Sequence, residues 1–444
     1  MKKVLIIFQT PKKRKLYASI LPPMGILYIA SYLESKGIHT DVIDCHVQKL
    51  KNDFSKYSTI LFSVNISNIE NTMGTIRLVK EKNPNSKVVV GGPMTINRGK
   101  YYLSFPEVDA VVIGEGEITA YEYLTSRDTK EVRGLLLRDD KGKIVFTGER
   151  PLIFDLDKFP FPALDKVPLN KYYIAIKKEN PISSIITSRG CPGKCIFCFH
   201  SHIWRQRSAK NVVDEIEWQV NKLGVKEITI NDDNFTQNRQ RVFDICQGII
   251  SRGIKVKLQC KSGVRVDSID KELLAKMKES GLWLIGIAPE TGNEETLRKI
   301  KKGFGLDDVK NVVNWCKNLG IVTMSNFTVG YPWETKKHLN DTLRFSIKLD
   351  TDFVKIGRII PIEGTPLYDI MDVKPKKEFK DEGIFYGSIK HNSLIVSQKE
   401  MYNFIRKFYI FNYLNPKKIL RIIKIIHFKD ILYLIEYSLI SKSI

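Results

Sequence analysis

The sequence predicts an α/β protein in three parts: a doubly wound parallel sheet, a (β/α)6 partial barrel and a helical carboxy-terminal tail. Three observations point there. Short β-branched runs alternate with helical segments from Lys3 to about Leu124, and a second alternation of six strand–helix units begins at Ile182. Between them Phe159-Pro160-Phe161-Pro162 reads as rigid, extended punctuation. Strands alternating with helices at this spacing argue parallel sheets, because a parallel crossover needs a helix-length connection.

In chain order, the first array places strands at Val4–Phe8, Thr40–Ile43, Thr59–Ser63, Lys87–Val90 and Ala110–Ile113, with helices at Gly25–Ser35 and Asn71–Lys82. The opening run from Met1 to Phe8 imitates a signal peptide, but its apolar stretch stops at Gln9 and no small-residue cleavage site follows, so a buried first strand is expected. A doubly wound sheet binds ligands outside the carboxyl ends of its strands. The residues expected there are Pro22-Pro23-Met24-Gly25, Ser63-Val64-Asn65, Gly91-Gly92-Pro93 and Gly114-Glu115-Gly116-Glu117, types that let backbone approach a ligand closely. This first domain is expected over 1–135. A linker over 136–180 carries a hairpin-like stretch at Asp139-Asp140-Lys141-Gly142.

The barrel is expected over 181–372, with strand-like runs ending near Ser188, Asn231, Cys260, Ile287, Val329 and Ile360 and helices near 209–223, 239–252, 270–280, 307–319 and 336–349. Chemistry belongs at the carboxyl ends of such strands. The last part, 373–444, is basic and amphipathic: residues 401–444 hold eight Lys or Arg against two acidic residues, interleaved with aromatic and β-branched side chains and broken at Pro416. Two readings stay open for it, a solvated helical face packed on the barrel or an interfacial helix drawn to an anionic membrane or lipid-like substrate.

Composition narrows the class. The chain has 444 residues, 43% hydrophobic and 27% charged, which is a folded globular balance. No stretch approaches the roughly 18 apolar residues of a membrane span. The net charge of +22 suits anionic partners, yet no nucleic-acid recognition motif accompanies it. Seven cysteines, an odd number with three crowded into eight residues, form a metal-site pattern and not a disulfide framework, so a reducing, cytoplasmic compartment is expected.

Those three stand in Ser188-Arg189-Gly190-Cys191-Pro192-Gly193-Lys194-Cys195-Ile196-Phe197-Cys198. Three thiolates on one loop can converge on one cluster. Four-iron clusters normally take four cysteines, so three leave an iron open, as three-ligand zinc leaves a position for chemistry. A plainer reading is a zinc site completed by His200 or His202. Cys246, Cys260 and Cys316 sit in apolar periodic segments and read as buried small hydrophobes. Cys260 ends the third barrel strand and Arg265 follows it, so either is a candidate to face the substrate, while Trp204, Arg205 and Arg207 follow the cysteine loop and are candidates to cover it.

Cys-x-x-x-Cys-x-aromatic-Cys resembles the signature of radical S-adenosylmethionine (SAM) enzymes, and the rest of the chain resembles their cobalamin-binding branch. The resemblance implies a [4Fe-4S] cluster on Cys191, Cys195 and Cys198, whose open iron chelates SAM, with Phe197 beside the adenine. Asn231-Asp232-Asp233-Asn234-Phe235 is similar to a paired-acid motif near the SAM ammonium, which implies contacts from Asp232 and Asp233. Ile285-Gly286-Ile287-Ala288-Pro289-Glu290-Thr291-Gly292 is similar to a ribose-contacting segment, implying Glu290, although Pro289 and Thr291 depart from the pattern. Gly330-Tyr331-Pro332-Trp333-Glu334-Thr335 adds Glu334 to the SAM set. In the first domain the resemblance is to a Rossmann-like B12-binding domain, with cobalamin contacts at Pro23, Gly25, Ser63, Gly91, Gly92, Gly114, Glu115 and Gly116. Asp44-Cys45-His46 falls short of the Asp-x-His-x-x-Gly cobalt-ligand motif, since Lys49 stands where Gly would and the segment follows the second strand.

The activity so implied is cleavage of SAM to a 5′-deoxyadenosyl radical, with cobalamin as methyl carrier and an unactivated carbon as acceptor. An electron donor such as flavodoxin or ferredoxin and a small-molecule or lipid-like substrate are the implied partners. Two alternatives stand beside it: a cyclase or rearrangement enzyme without net methyl transfer, and a corrinoid and iron–sulfur binding protein without turnover.

Overall fold

The computed structural model describes residues 3–11, 19–65, 67–199, 201–372 and 395–426. The chain divides near Tyr173 into two units, each with its own main sheet.

In the first unit, β1 (Lys3–Phe8) is apolar from Val4 to Ile7 and buried throughout that run, as a strand covered on both faces must be. α1 (Met24–Ser35), β2 (Thr40–Asp44), β3 (Tyr57–Ser63), α2 (Ile69–Lys82), β4 (Lys87–Gly91), α3 (Thr95–Leu103), β5 (Ala110–Val112) and α4 (Gly116–Thr125) follow in alternation. The sheet runs β2-β1-β3-β4-β5, all parallel, so the strand order reverses between β1 and β3. The apolar side chains of α2, Ile69, Met73, Ile76 and Val79, pack on Leu5, Ile60, Phe62, Val88 and Val90.

The expected domain limit at residue 135 is corrected. β6 (Leu135–Arg138) and β7 (Ile144–Phe146) extend the same sheet antiparallel to β5. The hairpin stretch makes the turn between them, where the Asp139 carboxylate accepts from the amides of Lys141 and Lys143 at 2.9 and 2.8 Å. Arg138 fastens the hairpin by donating to the carbonyls of Phe105 and Val108 at 2.6 and 2.7 Å.

The second unit carries β8 (Ile182–Ile185), α5 (Ala209–Leu223), β9 (Glu227–Ile230), α6 (Arg239–Ser251), β10 (Lys257–Cys260), α7 (Lys271–Glu279), β11 (Leu282–Glu290), α8 (Glu294–Lys299), α9 (Leu306–Asn318), β12 (Val322–Val329), α10 (Lys336–Leu349) and β13 (Phe353–Arg358). Its six strands are parallel and lie in sequence order, the arrangement of an open (β/α)6 barrel. Ile230 and Leu258 face Val212, Ile216, Ile245, Ile249 and Met277 across one apolar layer between strands and helices.

After α11 (Pro366–Ile370), the tail forms α12 (Gln398–Tyr413) and α13 (Pro416–Ile425), with Pro416 in the first turn of the second helix, where its missing amide costs nothing. α12 covers the edge of β13. Tyr409 and Tyr413, one helical turn apart, accept from the amides of Ile356 and Val354 at 3.2 and 3.1 Å. Ile410, Phe411, Leu414, Leu420 and Ile423 remain exposed. The rest of the expected basic tail, 427–444, lies outside the described residues, as do 373–394. No helix among the described residues is long and apolar enough to cross a membrane.

Candidate functional site

The cysteine loop leaves β8 at the carboxyl end of the barrel. Gly190 has φ +82°, and a Cβ there would stand 2.4 Å from the Ile203 carbonyl oxygen, so only glycine lets the chain turn into Cys191, whose amide donates to Ser201 at 2.9 Å. Ile196 then donates to Ile300 at 3.2 Å and accepts from Leu367 at 3.0 Å, which fixes the loop to two other barrel segments. Cys191 and Cys195 are buried and Cys198 is half-buried. The Gly193 amide donates to Cys191 Sγ at 3.4 Å, and Asn234 Nδ2 approaches the same sulfur at 3.7 Å. A Cβ placed on Gly193 would meet Arg265 Nη1 at 3.1 Å, Cys191 Sγ at 3.3 Å and Cys195 Sγ at 4.0 Å, so two sulfurs and a guanidinium converge on this glycine.

Burial raises the Cys195 thiol, opposed by the positive fields of Lys302 and Arg265. Burial and the neighbouring Cys195 push Cys198 up to about 12. Three thiols that feel one another, amides aimed at sulfur and two adjacent cations form a donor set that fits an anionic iron–sulfur cluster. Among the described residues no three His, Cys, Asp or Glu side chains close on a single-ion position. His202 directs Nδ1 to the Gly193 carbonyl at 3.0 Å, and His200 lies outside the described residues.

The residues assigned to SAM divide by environment. Asp232 is buried and bonded: it accepts from the Thr187 amide at 2.6 Å, the Thr187 hydroxyl at 2.5 Å and the Ser188 hydroxyl at 2.6 Å. These bonds tie Asp232 to the strand end that leads into the cysteine loop. Asp233 is exposed, accepts from the Gly190 amide at 3.0 Å and lies in the field of Cys198. Glu290 ends β11 after an irregularity in its pairing with β12, and its backbone is left-handed at φ +67°. Such strain persists where surroundings impose it. Here Lys302 Nζ and the Thr328 hydroxyl, each 2.8 Å away, hold the carboxylate.

Phe197 lies 6.2 Å from Tyr331, which stacks on Trp333 at 5.5 Å, and Lys302 stands 5.8 Å above the Phe197 ring. Glu334 is 1% exposed; one carboxylate oxygen accepts from the amides of Gly330 and Tyr331 at 2.7 and 3.1 Å, while the other has no partner. Burial pushes Glu334 up to about 7. Tyr331 OH and Asn234 Oδ1 are likewise buried without partners. Buried polar atoms are nearly always satisfied, so these three fit a polar ligand such as SAM.

Arg265 pairs with Asp267 at 2.7 Å and donates to the Lys302 carbonyl at 3.0 Å, beside the cysteines. Trp204 donates to the carbonyl of Asn234, whose side chain approaches Cys191, at 3.0 Å. Sequence reading assigned no role to Lys302; a lysine twelve residues after a carboxylate signals a pair only once the turn between them is known. Cys246, Cys260 and Cys316 are buried as expected.

In the first unit, the residues assigned to cobalamin gather at the carboxyl ends of β1, β3, β4 and β5, where the strand order reverses. Asn68 organises this end, donating to the carbonyls of Gln9 and Ser63 at 3.1 Å each and accepting from the Asn65 amide at 2.8 Å. Gly92 packs against this loop, since a Cβ there would stand 2.5 Å from the Val64 carbonyl oxygen. Gly25 and Gly114 face open space at exposed positions, Pro23 precedes α1, and Glu115 and Gly116 begin α4. Open glycines at a switch point fit a large ligand laid against backbone. Asp44 accepts from His46 Nδ1 at 2.8 Å and from the Tyr172 hydroxyl at 2.9 Å.

Comparison with known proteins agrees with this division. Residues 16–124 match the model of the B12 binding domain, and residues 185–346 that of the radical SAM superfamily. An uncharacterized methyltransferase of Pyrococcus horikoshii is 28% identical over 424 residues, 90% of this chain and 89% of its own. The anaerobic magnesium-protoporphyrin IX monomethyl ester cyclase of Rubrivivax gelatinosus is 29% identical over 78% of this chain and 66% of its own. Among solved structures, the radical SAM methyltransferase TsrM of Kitasatospora setae, with cobalamin and a [4Fe-4S] cluster bound, superposes with a TM-score of 0.70 at 17% identity, over 84% of this chain and 78% of TsrM. The cobalamin-dependent SAM radical enzyme OxsB, with aqua-cobalamin and SAM bound, gives 0.77 at 16% identity, over 99% and 72%. The protein is a radical SAM enzyme with an amino-terminal B12-binding domain. The two matched families imply cobalamin for the first domain and a [4Fe-4S] cluster with SAM for the second.

Proposed function

We propose that this enzyme methylates an unactivated carbon of a small molecule. The observation that carries the reading is the convergence of three thiols, two cations and three unpartnered buried polar atoms at the carboxyl end of a barrel, in a chain that also has a B12-binding domain. When bound, the cluster and SAM supply a carbon-centred radical and cobalamin a transferable methyl group.

The chain's own residues bind and orient. Cys191, Cys195 and Cys198 hold the cluster, and Lys302 and Arg265 offset its negative charge. Asp233 and the free oxygen of Glu334 stand as acceptors for the SAM ammonium and hydroxyls. Phe197, Tyr331 and Trp333 form an aromatic wall that excludes water. Glu290, clamped by Lys302 and Thr328, holds the end of β11 against the site. Pro23, Gly25, Ser63, Gly91, Gly92, Gly114, Glu115 and Gly116 cradle the corrinoid, and a flavodoxin or ferredoxin delivers the electron.

A second reading, ring formation without net methyl transfer, is favoured by the relatives that are cyclases. The two differ in coproduct. With CD3-labelled SAM, reductant and an extract containing substrate, methyl transfer yields S-adenosylhomocysteine beside 5′-deoxyadenosine and a product bearing CD3. Deoxyadenosine without homocysteine product or label contradicts methyl transfer.

The exposed apolar side chains of α12 and α13 alternate with Lys407, Lys417 and Lys424, a pattern suited to an anionic lipid surface or a lipid-like substrate. Sedimentation with phosphatidylglycerol vesicles, lost on Ile410→Glu with Leu420→Glu, is the expected result. Equal sedimentation with phosphatidylcholine contradicts it.

A further inference from the structure

The barrel interior carries positive charge apart from the residues assigned to the cluster and SAM. Successive residues of a strand point to opposite faces, and β10 divides on this rule. Leu258 faces the helices with Val212, Ile245 and Met277. Gln259 and Lys261 face the other way, their Nε2 and Nζ both donating to the Ile176 carbonyl, at 3.0 and 3.1 Å. On β13, Phe353 packs with Met324 and Ile176, so Lys355, two residues further, stands on that same interior face. Lys177 is buried next to Ile176.

Among the described residues the acid nearest Lys261 is already committed. Glu227 is occupied: one oxygen accepts from the amides of Lys178 and Glu179, both at 2.7 Å, and the other from Trp283 Nε1 at 3.0 Å and from Gln259. Among the described residues no carboxylate pairs with Lys261 or Lys355. Burial, then the positive field of Lys355, push Lys261 down to about 7. Lys355 reaches solvent, yet lost hydration lowers it too. Register gives the depth: Lys355 pairs with Asn326, and Glu290 with the next residue, Phe327. Lys355 therefore lies just below the level of Glu290, and Lys261, which follows the Cys260–Ile285 pair, lies lower still, both deeper in the barrel than the cysteine loop.

We propose that Lys261 and Lys355 form an anion subsite in the barrel interior that holds a phosphate, phosphonate or carboxylate group of the substrate. This rests on the reading of the barrel as a radical SAM active site. It adds that the substrate is an anion, seated with its charged group deep and its reacting carbon toward the cofactors. An oxyanion between two ammonium groups replaces their mutual repulsion with two charge-assisted hydrogen bonds.

The test uses anaerobically reconstituted holoenzyme. Iron and corrinoid are measured on every preparation, so failure of the cofactor reading is seen separately from failure of anion binding. Calorimetric titration with inorganic phosphate, methylphosphonate and acetate, with glycerol as the neutral control, ranks the oxyanions and tells phosphorus acids from carboxylates. Lys261→Met and Lys355→Met are each expected to weaken binding about 10-fold, with Lys261→Arg retaining it. In the wild type, acetic anhydride near neutral pH should label Lys261 readily and more slowly once phosphate is bound, a readout that needs no variant to fold. Binding of no anion, equal binding by wild type and both Met variants, or labelling of Lys261 that phosphate leaves unchanged would overturn the proposal.

Discussion

At the scale of the residue, two carboxylates within one site have opposite tasks, set by what surrounds each. Asp232 accepts three hydrogen bonds from Thr187 and Ser188. Removing it strands three buried donors, so Asp232→Ala should lower stability by about 3 kcal/mol, read by urea unfolding, and reduce iron incorporation. Unchanged stability with weakened SAM binding would instead make it a cofactor contact. Glu334 keeps one oxygen unpartnered, and burial lifts its pKa from the ordinary carboxylate range to about 7. The folded state then binds the proton more tightly than the unfolded state, so wild-type stability falls relative to Glu334→Gln as pH rises from about 4.5 through about 7. At pH 8 the difference is on the order of 3 kcal/mol; at pH 4 it vanishes. Thermal melts of both proteins without SAM across this range measure it, and parallel curves would contradict the account.

At the scale of the element, the edges and ends of strands decide the architecture. β13 is the last strand of the barrel sheet, and an uncovered edge invites pairing with another chain. The hydroxyls of Tyr409 and Tyr413 occupy alternate groups of that edge. Tyr409→Phe and Tyr413→Phe should each cost about 1 kcal/mol, and the double variant should self-associate by light scattering; a monodisperse, fully stable double variant would show that α12 protects nothing. These ends also mark what sequence makes legible. The strand–helix alternation and the spacing of Cys191, Cys195 and Cys198 are local patterns, so they were readable. The membership of β6 and β7 in the first sheet depends on pairing with β5, with Arg138 tied to carbonyls some thirty residues away. The left-handed backbone of Glu290, its clamp by Lys302 and the inward turning of Asp232 arise from contacts between strands that no window of sequence contains.

At the scale of the whole molecule, two units with distinct chemistry share one chain: a switch-point sheet matched by the B12-binding domain and a barrel matched by the radical SAM superfamily. The net charge of +22 is distributed with purpose in at least two places, around the cysteine loop through Lys302 and Arg265 and inside the barrel through Lys177, Lys261 and Lys355. The central claim is that both cofactor systems reside in this chain and that the cysteine loop performs SAM cleavage. Its most direct test is anaerobic purification with cobalamin supplied, followed by iron, corrinoid and 5′-deoxyadenosine measurements on wild type and Cys195→Ala. The account predicts about four iron atoms per chain, bound corrinoid in both proteins, and reductant-dependent 5′-deoxyadenosine that disappears in Cys195→Ala. Bound zinc in place of iron, or iron without corrinoid, would contradict it.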